Sequence, residues 1–389
     1  MVRQSTTRKN DAPLRLVFTG GGTGGHVSPV LAVVEELNQR DIAYESLWIG
    51  SKTGAERDAA AALGIPYKPV SVGKLRRYLS LRTVPDAARV PLGVAQSIPI
   101  LRRFRPDVIF STGGYVGVPA VVAGRWLRIP ALTHEQTAVL GLATRIIARF
   151  SQCVALSHAR TPHPRVGVGG RVTVTGNPIR AQLRCGDRAQ ARLHFQLASN
   201  LPLLYVTGGA QGALGINDAV GEALAELLQI MEIVHQTGPN RFNGSYEHLR
   251  TLRSELPSQL ADRYHPVERV GDELAHLYAA TDLVLGRSGA GTVAELAALS
   301  LPSILIPLPG AFEQRETARV LESAGAAIVI DQDQLTPERL IRELRVLADD
   351  AAGRSAMSAA ARSTAGGSNP AALLVDEILR LAYPVGSGP

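Results

Sequence analysis

At 389 residues the chain is about twice the length of a typical domain, which points to two hydrophobic cores and excludes a single small disulfide-stapled fold. With 45% hydrophobic and 19% charged residues it is ordinary globular material, enriched only in its 38 glycines, so global disorder is excluded. A formal charge of +7 suits anionic partners such as phosphates or an acidic bilayer surface, whereas 5% aromatic content, with no basic stretch interleaved with aromatics, speaks against nucleic acid.

Residues 1–12 read as a disordered polar tail without the apolar core of a signal peptide. From Leu14 onward, short apolar β-type runs alternate with helical patterns. Leu14–Thr19, Leu47–Ile49, Val108–Ser111, Ala131–Thr133, Cys153–Leu156 and Val172–Thr175 read as buried parallel strands. Between the first strand and a helix carrying Val30, Val33, Val34 and Leu37 lies TGGGTGGH, Thr19 to His26. Missing side chains there let an anionic ligand approach the backbone, although a purely structural tight turn gives the same letters. The string also satisfies G-x-G-x-x-G, but no acidic residue follows the second strand, so dinucleotide binding is disfavoured. His26 is expected in the first turn of the helix, where a neutral imidazole can accept a proton or merely cap the loop.

Lys74, Arg76, Arg77, Arg82 and Arg89 rim an apolar stretch of Leu75, Tyr78, Leu79, Leu81 and Val84, which suits either an anionic lipid surface or an ordinary solvated loop. The longest uncharged run, Val108 to Gly124, is interrupted by Gly113, Gly114, Gly117 and Pro119, so no spanning helix is expected. His134-Glu135-Gln136 ends a buried strand on the side where α/β ligands gather. Gly176-Asn177-Pro178 closes the first half, and Arg180 just beyond it can offer a forked pair of donors to phosphate.

The strand rhythm restarts at Leu203–Thr207 and continues through Ile233–His235, Leu283–Leu285, Ser303–Ile306 and Ala326–Ile330. Gly208-Gly209-Ala210-Gln211-Gly212 repeats the strand–glycine turn–helix opening, the helix carrying Val220, Leu224, Leu227 and Leu228. A further such junction, Arg287-Ser-Gly-Ala-Gly-Thr292, then Val-Ala-Glu295, suits a nucleoside diphosphate: backbone N–H groups for the phosphates and Glu295 for vicinal ribose hydroxyls. The alternative is a capping box, Thr292-x-x-Glu295, which needs no ligand. Asp331-Gln332-Asp333 reads as a solvated turn before a helix start at Pro337 rather than as a metal site. Cys153 and Cys185 follow no metal-ligand spacing and fit a reducing cytosol.

Taken together these motifs resemble the MurG family: GGGTGGHVSPVLA from Gly20, STGGYVGVPA from Ser111, HEQ from His134, TGNPIR from Thr175, GGAQGA from Gly208, HQTG from His235 and RSGAGTVAE from Arg287. The resemblance runs from about Leu14 to about Ile378. It implies the α/β GT-B glycosyltransferase fold, two Rossmann-like domains facing across a cleft: 13–180 for the acceptor and the membrane, 181–365 for the UDP-sugar, and a helix and tail, 366–389, for which packing back on the first domain is one arrangement. It further implies a peripheral enzyme on the cytoplasmic face of the cell membrane. That enzyme moves N-acetylglucosamine, with inversion, from UDP-N-acetylglucosamine to undecaprenyl-linked lipid I, giving lipid II for peptidoglycan synthesis.

Carried over residue by residue, the resemblance places Thr23, Gly24 and Gly25 at the diphosphate and acceptor side. His26 and Glu135 become the candidate base or base-supporter. Arg180, Ala290, Gly291, Thr292 and Glu295 hold UDP, Gly271 contacts uracil through its backbone, and Gln314 reads the sugar hydroxyls. Trp126 and the Leu75–Val84 region fall in the membrane patch. No cofactor motif and no metal site are present in the reading. Three positions depart from the family: Thr137 replaces the asparagine of HEQN, Ala210 the serine of GGSQGA, and Thr317 an asparagine near the sugar. One lost neutral hydrogen bond is worth about 0.5–1.5 kcal/mol, roughly three- to tenfold in affinity. The alternatives are a related GT-B enzyme using another nucleotide sugar or lipid acceptor, a UDP-sugar-binding homologue without turnover, and a nucleotide-sugar epimerase on a similar fold.

Overall fold

The computed structural model describes residues 12–21, 24–73, 83–366 and 369–384. The chain forms two compact units, each an α/β/α sandwich. The first holds the residues up to Glu135, Leu140–Thr175 and the segment from Pro370; the second holds Gln136–Val139 and Gly176–Asn369. The division thus falls at Thr175 and at Asn369, not at 180 and 365. The reason is packing: Ile179 and Leu183 belong to the second core, so Arg180 travels with it.

In the first unit the order is β1 (Leu14–Thr19), α1 (Ser28–Gln39), β2 (Tyr44–Gly50), α2 (Ala55–Ala62), β3 (Tyr67–Pro69), α3 (Thr83–Phe104), β4 (Val108–Ser111), α4 (Gly114–Trp126), β5 (Ala131–Glu135), α5 (Leu142–Ala148), β6 (Cys153–Leu156) and β7 (Arg171–Val174). The sheet is parallel throughout, in the order β3-β2-β1-β4-β5-β6-β7. Successive strand residues point to opposite faces, so β1 feeds two layers. Leu14, Leu16 and Phe18 pack with Val30, Val33 and Leu37 of α1, while Val17 packs with Val94 of α3, Val118 and Val121 of α4 and Ile147 of α5.

The second unit runs α6 (Arg188–His194), β8 (Leu203–Thr207), α7 (Leu214–Glu222), α8 (Leu224–Ile230), β9 (Glu232–Gln236), α9 (Asn240–Asn243), α10 (Ser245–Glu255), α11 (Ser258–Ala261), β10 (Tyr264–Val267), α12 (Leu274–Ala280), β11 (Leu283–Gly286), α13 (Ala290–Leu299), β12 (Ser303–Leu305), α14 (Phe312–Ser323), β13 (Ala327–Val329), α15 (Pro337–Asp349) and α16 (Ala351–Ala365). Its parallel sheet is ordered β10-β9-β8-β11-β12-β13. The helix expected after Gly212 is in fact two, α7 and α8, divided at Ala223, with Val220, Leu224, Leu227 and Leu228 all buried. Two strands were not expected from the sequence. β3 and β10 each form one edge of their sheet, where pairing on one side tolerates the proline and polar residues of YKP and YHPV.

The last helix, α17 (Pro370–Ala382), returns to the first unit and packs on α1. Leu374, Val375 and Ile378 are fully buried there, each worth about 1.5–3 kcal/mol of transfer free energy. Polar contacts fix its register: Asp376 pairs with Arg40 at 2.5 Å, and Glu377 pairs with Arg171.

Candidate active site

In each sheet the strand order reverses at one place, between β1 and β4 and between β8 and β11. The loops leaving such neighbours diverge and open a crevice at the carboxyl ends of the strands, where ligands of α/β sheets bind. All the glycine-rich turns singled out from the sequence lie at these two points.

In the first unit the turn after β1 is pressed against the loop after β4. Gly20 has φ +123, and a Cβ there would lie 2.2 Å from Thr112 Oγ1, so only glycine fits. His26 is not in the helix itself, as expected from the sequence, but in a 3-10 turn, Gly24–His26, that precedes α1 because Pro29 sets the helix start. Its Nδ1 lies 2.8 Å from the carbonyl oxygen of Thr112. A carbonyl can only accept, so in the neutral ring Nδ1 carries the proton and Nε2 keeps its lone pair. That Nε2 would be 3.3 Å from a Cβ on Gly114, which places it over the amino end of α4.

Glu135 ends β5, on the far side of β4 from β1. It is buried, its Oε2 accepts from Gly141 N at 3.2 Å, and its backbone carbonyl accepts from Ser157 N and Oγ. Thr112–Gly114 is therefore bracketed: His26 bonds to Thr112, and a Cβ on Gly113 would lie 3.5 Å from the carbonyl of His134. Gly24 and Gly25 are in the 3-10 turn, Gly25 exposed; Thr23 lies outside the described residues.

Glu56 was not singled out from the sequence, since an acid at the start of a helix reads as a solvated face. It is fully buried instead, Oε1 accepting from Ser51 N at 3.0 Å and Ser51 Oγ at 2.6 Å. A Cβ on Gly21 would lie 2.5 Å from its Oε2, so Glu56 props the glycine turn from below.

In the second unit, Ala290, Gly291 and Thr292 form the first turn of α13, with Gly289 as its N-cap and no side chain bonded there. The capping-box alternative is thereby removed, because Thr292 is inside the helix rather than at its cap. Glu295 points elsewhere: its Oε2 accepts from the Tyr278 hydroxyl at 2.9 Å. Burial raises the Glu295 carboxyl above the usual carboxylate range, and the Tyr278 hydrogen bond and the charge of Arg180 pull it back. Arg180 is half-buried, its carbonyl accepts from Leu183 N, and its guanidinium makes no hydrogen bond or ion pair within the described residues, so its donors remain available beside Glu295. Asn177 Nδ2 donates to Ala290 O at 3.0 Å and ties this segment to α13.

Gln314, on α14, accepts from Leu308 N at 3.0 Å through Oε1 while its carbonyl accepts from Ser288 Oγ at 3.0 Å. Its amide NH2 makes no hydrogen bond within the described residues. Gly271 lies exposed in the turn before α12, accepting from Leu274 N.

Comparison with known proteins bears on this arrangement. Residues 16–156 match the glycosyltransferase family 28 N-terminal domain, and residues 203–377 match the glycosyltransferase family 28 C-terminal domain. A relative from Shouchella clausii, named UDP-N-acetylglucosamine--N-acetylmuramyl-(pentapeptide) pyrophosphoryl-undecaprenol N-acetylglucosamine transferase, is 37% identical over 338 residues, 86% of this chain and 90% of its own. The chain belongs to glycosyltransferase family 28, within the MurG family. The crystal structure of Acinetobacter baumannii MurG superposes with a TM-score of 0.73 at 27% identity, covering 95% of this chain and all of that one. A UDP-GlcNAc 2-epimerase from Neisseria meningitidis reaches a TM-score of 0.64 at 14% identity over 94% of this chain and 100% of its own, a likeness of fold alone.

Against the MurG family pattern, two of the three departures donate their hydroxyl protons to nearby backbone carbonyls. Thr317 is buried and its hydroxyl donates to Glu313 O at 2.7 Å, while Thr137 donates to Val139 O at 2.5 Å. Ala210 is exposed at the tip of its turn. Of the membrane patch a MurG protein would present, Lys74 to Arg82 lie outside the described residues; Arg89 is exposed, and Trp126 is 66% exposed at the end of α4. Among the described residues no helix is long and apolar enough to cross a membrane.

Proposed function

We propose that the protein is an inverting N-acetylglucosaminyltransferase that moves the sugar from UDP-N-acetylglucosamine to the muramyl sugar of lipid I, forming lipid II. The observation that carries this reading is the family relationship, which spans both units. The second unit takes the donor. The uncapped first turn of α13 offers N–H groups to the diphosphate, Arg180 supplies a guanidinium, and Glu295, aimed by Tyr278, accepts from ribose hydroxyls. The NH2 of Gln314 is a donor for the sugar.

The first unit takes the acceptor. An acceptor hydroxyl attacks the anomeric carbon, its proton passes to Nε2 of His26, and the bond from that carbon to the diphosphate oxygen breaks, releasing UDP. Thr112 holds the imidazole in the tautomer this requires. Negative charge growing on the leaving diphosphate is stabilised by Arg180 and by the N–H groups of α13. Glu135 closes its own loop beside Thr112–Gly114 and supports the base.

A second reading keeps the fold and the nucleotide and relaxes the sugar: Thr317, buried and with its hydroxyl proton spent on Glu313 O, offers no donor to an acetamido or hydroxyl substituent. Incubation with a lipid I analogue and labelled UDP-N-acetylglucosamine tests the first reading, with disaccharide as the expected product. Product from a different UDP-sugar only would select the second; UDP binding without product from any acceptor would mark a homologue without turnover. Peripheral attachment to the cytoplasmic face of the membrane through the basic and apolar segment is part of the proposal, and cosedimentation with anionic but not neutral vesicles is its test.

A further inference from the structure

HQTG, His235 to Gly238, is a motif that the mechanism above does not use. Its second residue, Gln236, is buried at the carboxyl end of β9, and all four hydrogen-bonding positions of its amide are filled. Nε2 donates to Gly209 O at 3.0 Å and to Thr207 Oγ1 at 3.3 Å; Oε1 accepts from Val270 N at 2.9 Å and from the Tyr205 hydroxyl at 3.4 Å. One side chain thus ties the glycine turn after β8 to the corner after β10.

The consequence lies in the peptide plane. Gly209 O also accepts from Gly212 N at 3.1 Å, so this carbonyl is anchored from two sides, and no peptide in the described residues is cis. In a trans peptide the carbonyl and the following N–H point in opposite directions. Anchoring Gly209 O inward therefore turns the Ala210 N–H outward, at an exposed turn tip where it makes no hydrogen bond within the described residues. The same turn is seated on HQTG from beneath: a Cβ on Gly212 would lie 1.9 Å from Thr237 O, and a Cβ on Gly238 would lie 2.3 Å from Gln211 O. His235 stiffens that seat, with Nδ1 2.9 Å from the Tyr264 hydroxyl and Nε2 3.0 Å from Asn217 Oδ1, while Asn217 Nδ2 donates to Thr237 O at 2.9 Å.

We infer that Gln236 is a positioning residue for the nucleotide: it presents the backbone N–H of Ala210 as a donor to a phosphate oxygen of the UDP moiety. This rests on the donor reading above. It also accounts for a chain that does without a hydroxyl at position 210, since the donor belongs to the backbone and not to the side chain.

The test compares Gln236→Glu, which keeps the acceptors and loses the donors to Gly209 O and Thr207, with Gln236→Met, which has similar bulk and no amide. UDP affinity is read by calorimetry and transfer by steady-state kinetics. The expected result is a rise of about tenfold or more in the UDP Kd and the donor KM, with kcat at saturating donor within about threefold of wild type. Variants with a lowered Tm and an unaltered UDP Kd would show a merely structural role and overturn the inference. Hydrogen exchange on the wild-type chain needs no variant to fold: UDP should slow exchange in the segment holding Ala210, and unchanged exchange there overturns the inference while UDP binding itself stands. A wild-type chain that gives no heat with UDP overturns the donor reading and this inference together.

Discussion

The hydroxyl of Tyr278 donates to Oε2 of Glu295 across 2.9 Å, from α12 to α13, and so holds the carboxylate that the donor reading assigns to ribose. Burial raises the carboxyl of Glu295. A group whose folded pKa is raised contributes stability below its unfolded pKa and loses that contribution as pH rises through the folded value. The stability that the retained proton of Glu295 contributes in the acid range is therefore lost as pH rises. Glu295→Gln should gain Tm relative to wild type as pH rises from the acid range to neutral, while the UDP Kd rises about tenfold. Thermal melts across that range and calorimetry with UDP check both halves. A Tm difference that shrinks with rising pH would contradict the stated sign.

His26 should carry the kinetic signature of the base. His26→Ala is expected to lower kcat by about 10²–10⁴-fold, with UDP affinity unchanged within about twofold. A loss under about threefold would remove it from that role. Gly114→Ala probes the same place from α4: at φ +71, with the new Cβ 2.5 Å from Gly21 O and 3.3 Å from His26 Nε2, the substitution strains the backbone by about 1–3 kcal/mol and crowds the base. Turnover should fall far more than UDP binding.

The Arg180 guanidinium makes no hydrogen bond or ion pair in the described residues and acts on Glu295 through its charge alone. Arg180→Ala should weaken UDP by about tenfold or more, and Arg180→Lys should recover only part of that, because an ammonium cannot reproduce the fork. The wild-type affinity should decline as salt rises, and the Arg180→Ala affinity less so.

The two thiols should differ sharply. Cys153 is buried 3.6 Å from Glu377, and its thiol is pushed up to about 12, mainly by burial, with the Glu377 carboxylate adding to the effect; Cys185 is exposed. A thiol reagent should modify Cys185 in the native protein and reach Cys153 only on unfolding. Leu374→Ala, in α17 on the same side of the sheet, should destabilise the first unit by about 2–5 kcal/mol and open Cys153 to the reagent. Two rapidly modified thiols in the wild-type protein would contradict this packing.

Much of the frame was legible in the sequence because central parallel strands are buried on both faces and so read as unbroken apolar runs, such as LVF in β1 and VIF in β4. Two of the four edge strands, β3 and β10, escaped for the converse reason. Half-exposed, they carry Lys68, His265 and proline, which no periodicity rule marks as strand. Glycine turns were legible as turns, since Gly20 and Gly113 hold backbone angles and contacts that other residues resist.

The sequence by itself determined the central strands, the two α/β halves and the family, all of which depend on local pattern and on motifs read along the chain. Only the tertiary structure decided which partners orient these side chains. His26 obtains its tautomer from Thr112, Glu295 its direction from Tyr278, and Gln236 its fourfold satisfaction from β8 and the corner after β10. These partners are distant in the chain, and a hydrogen bond is set by where folding brings a donor and an acceptor, which the identity of neither residue encodes.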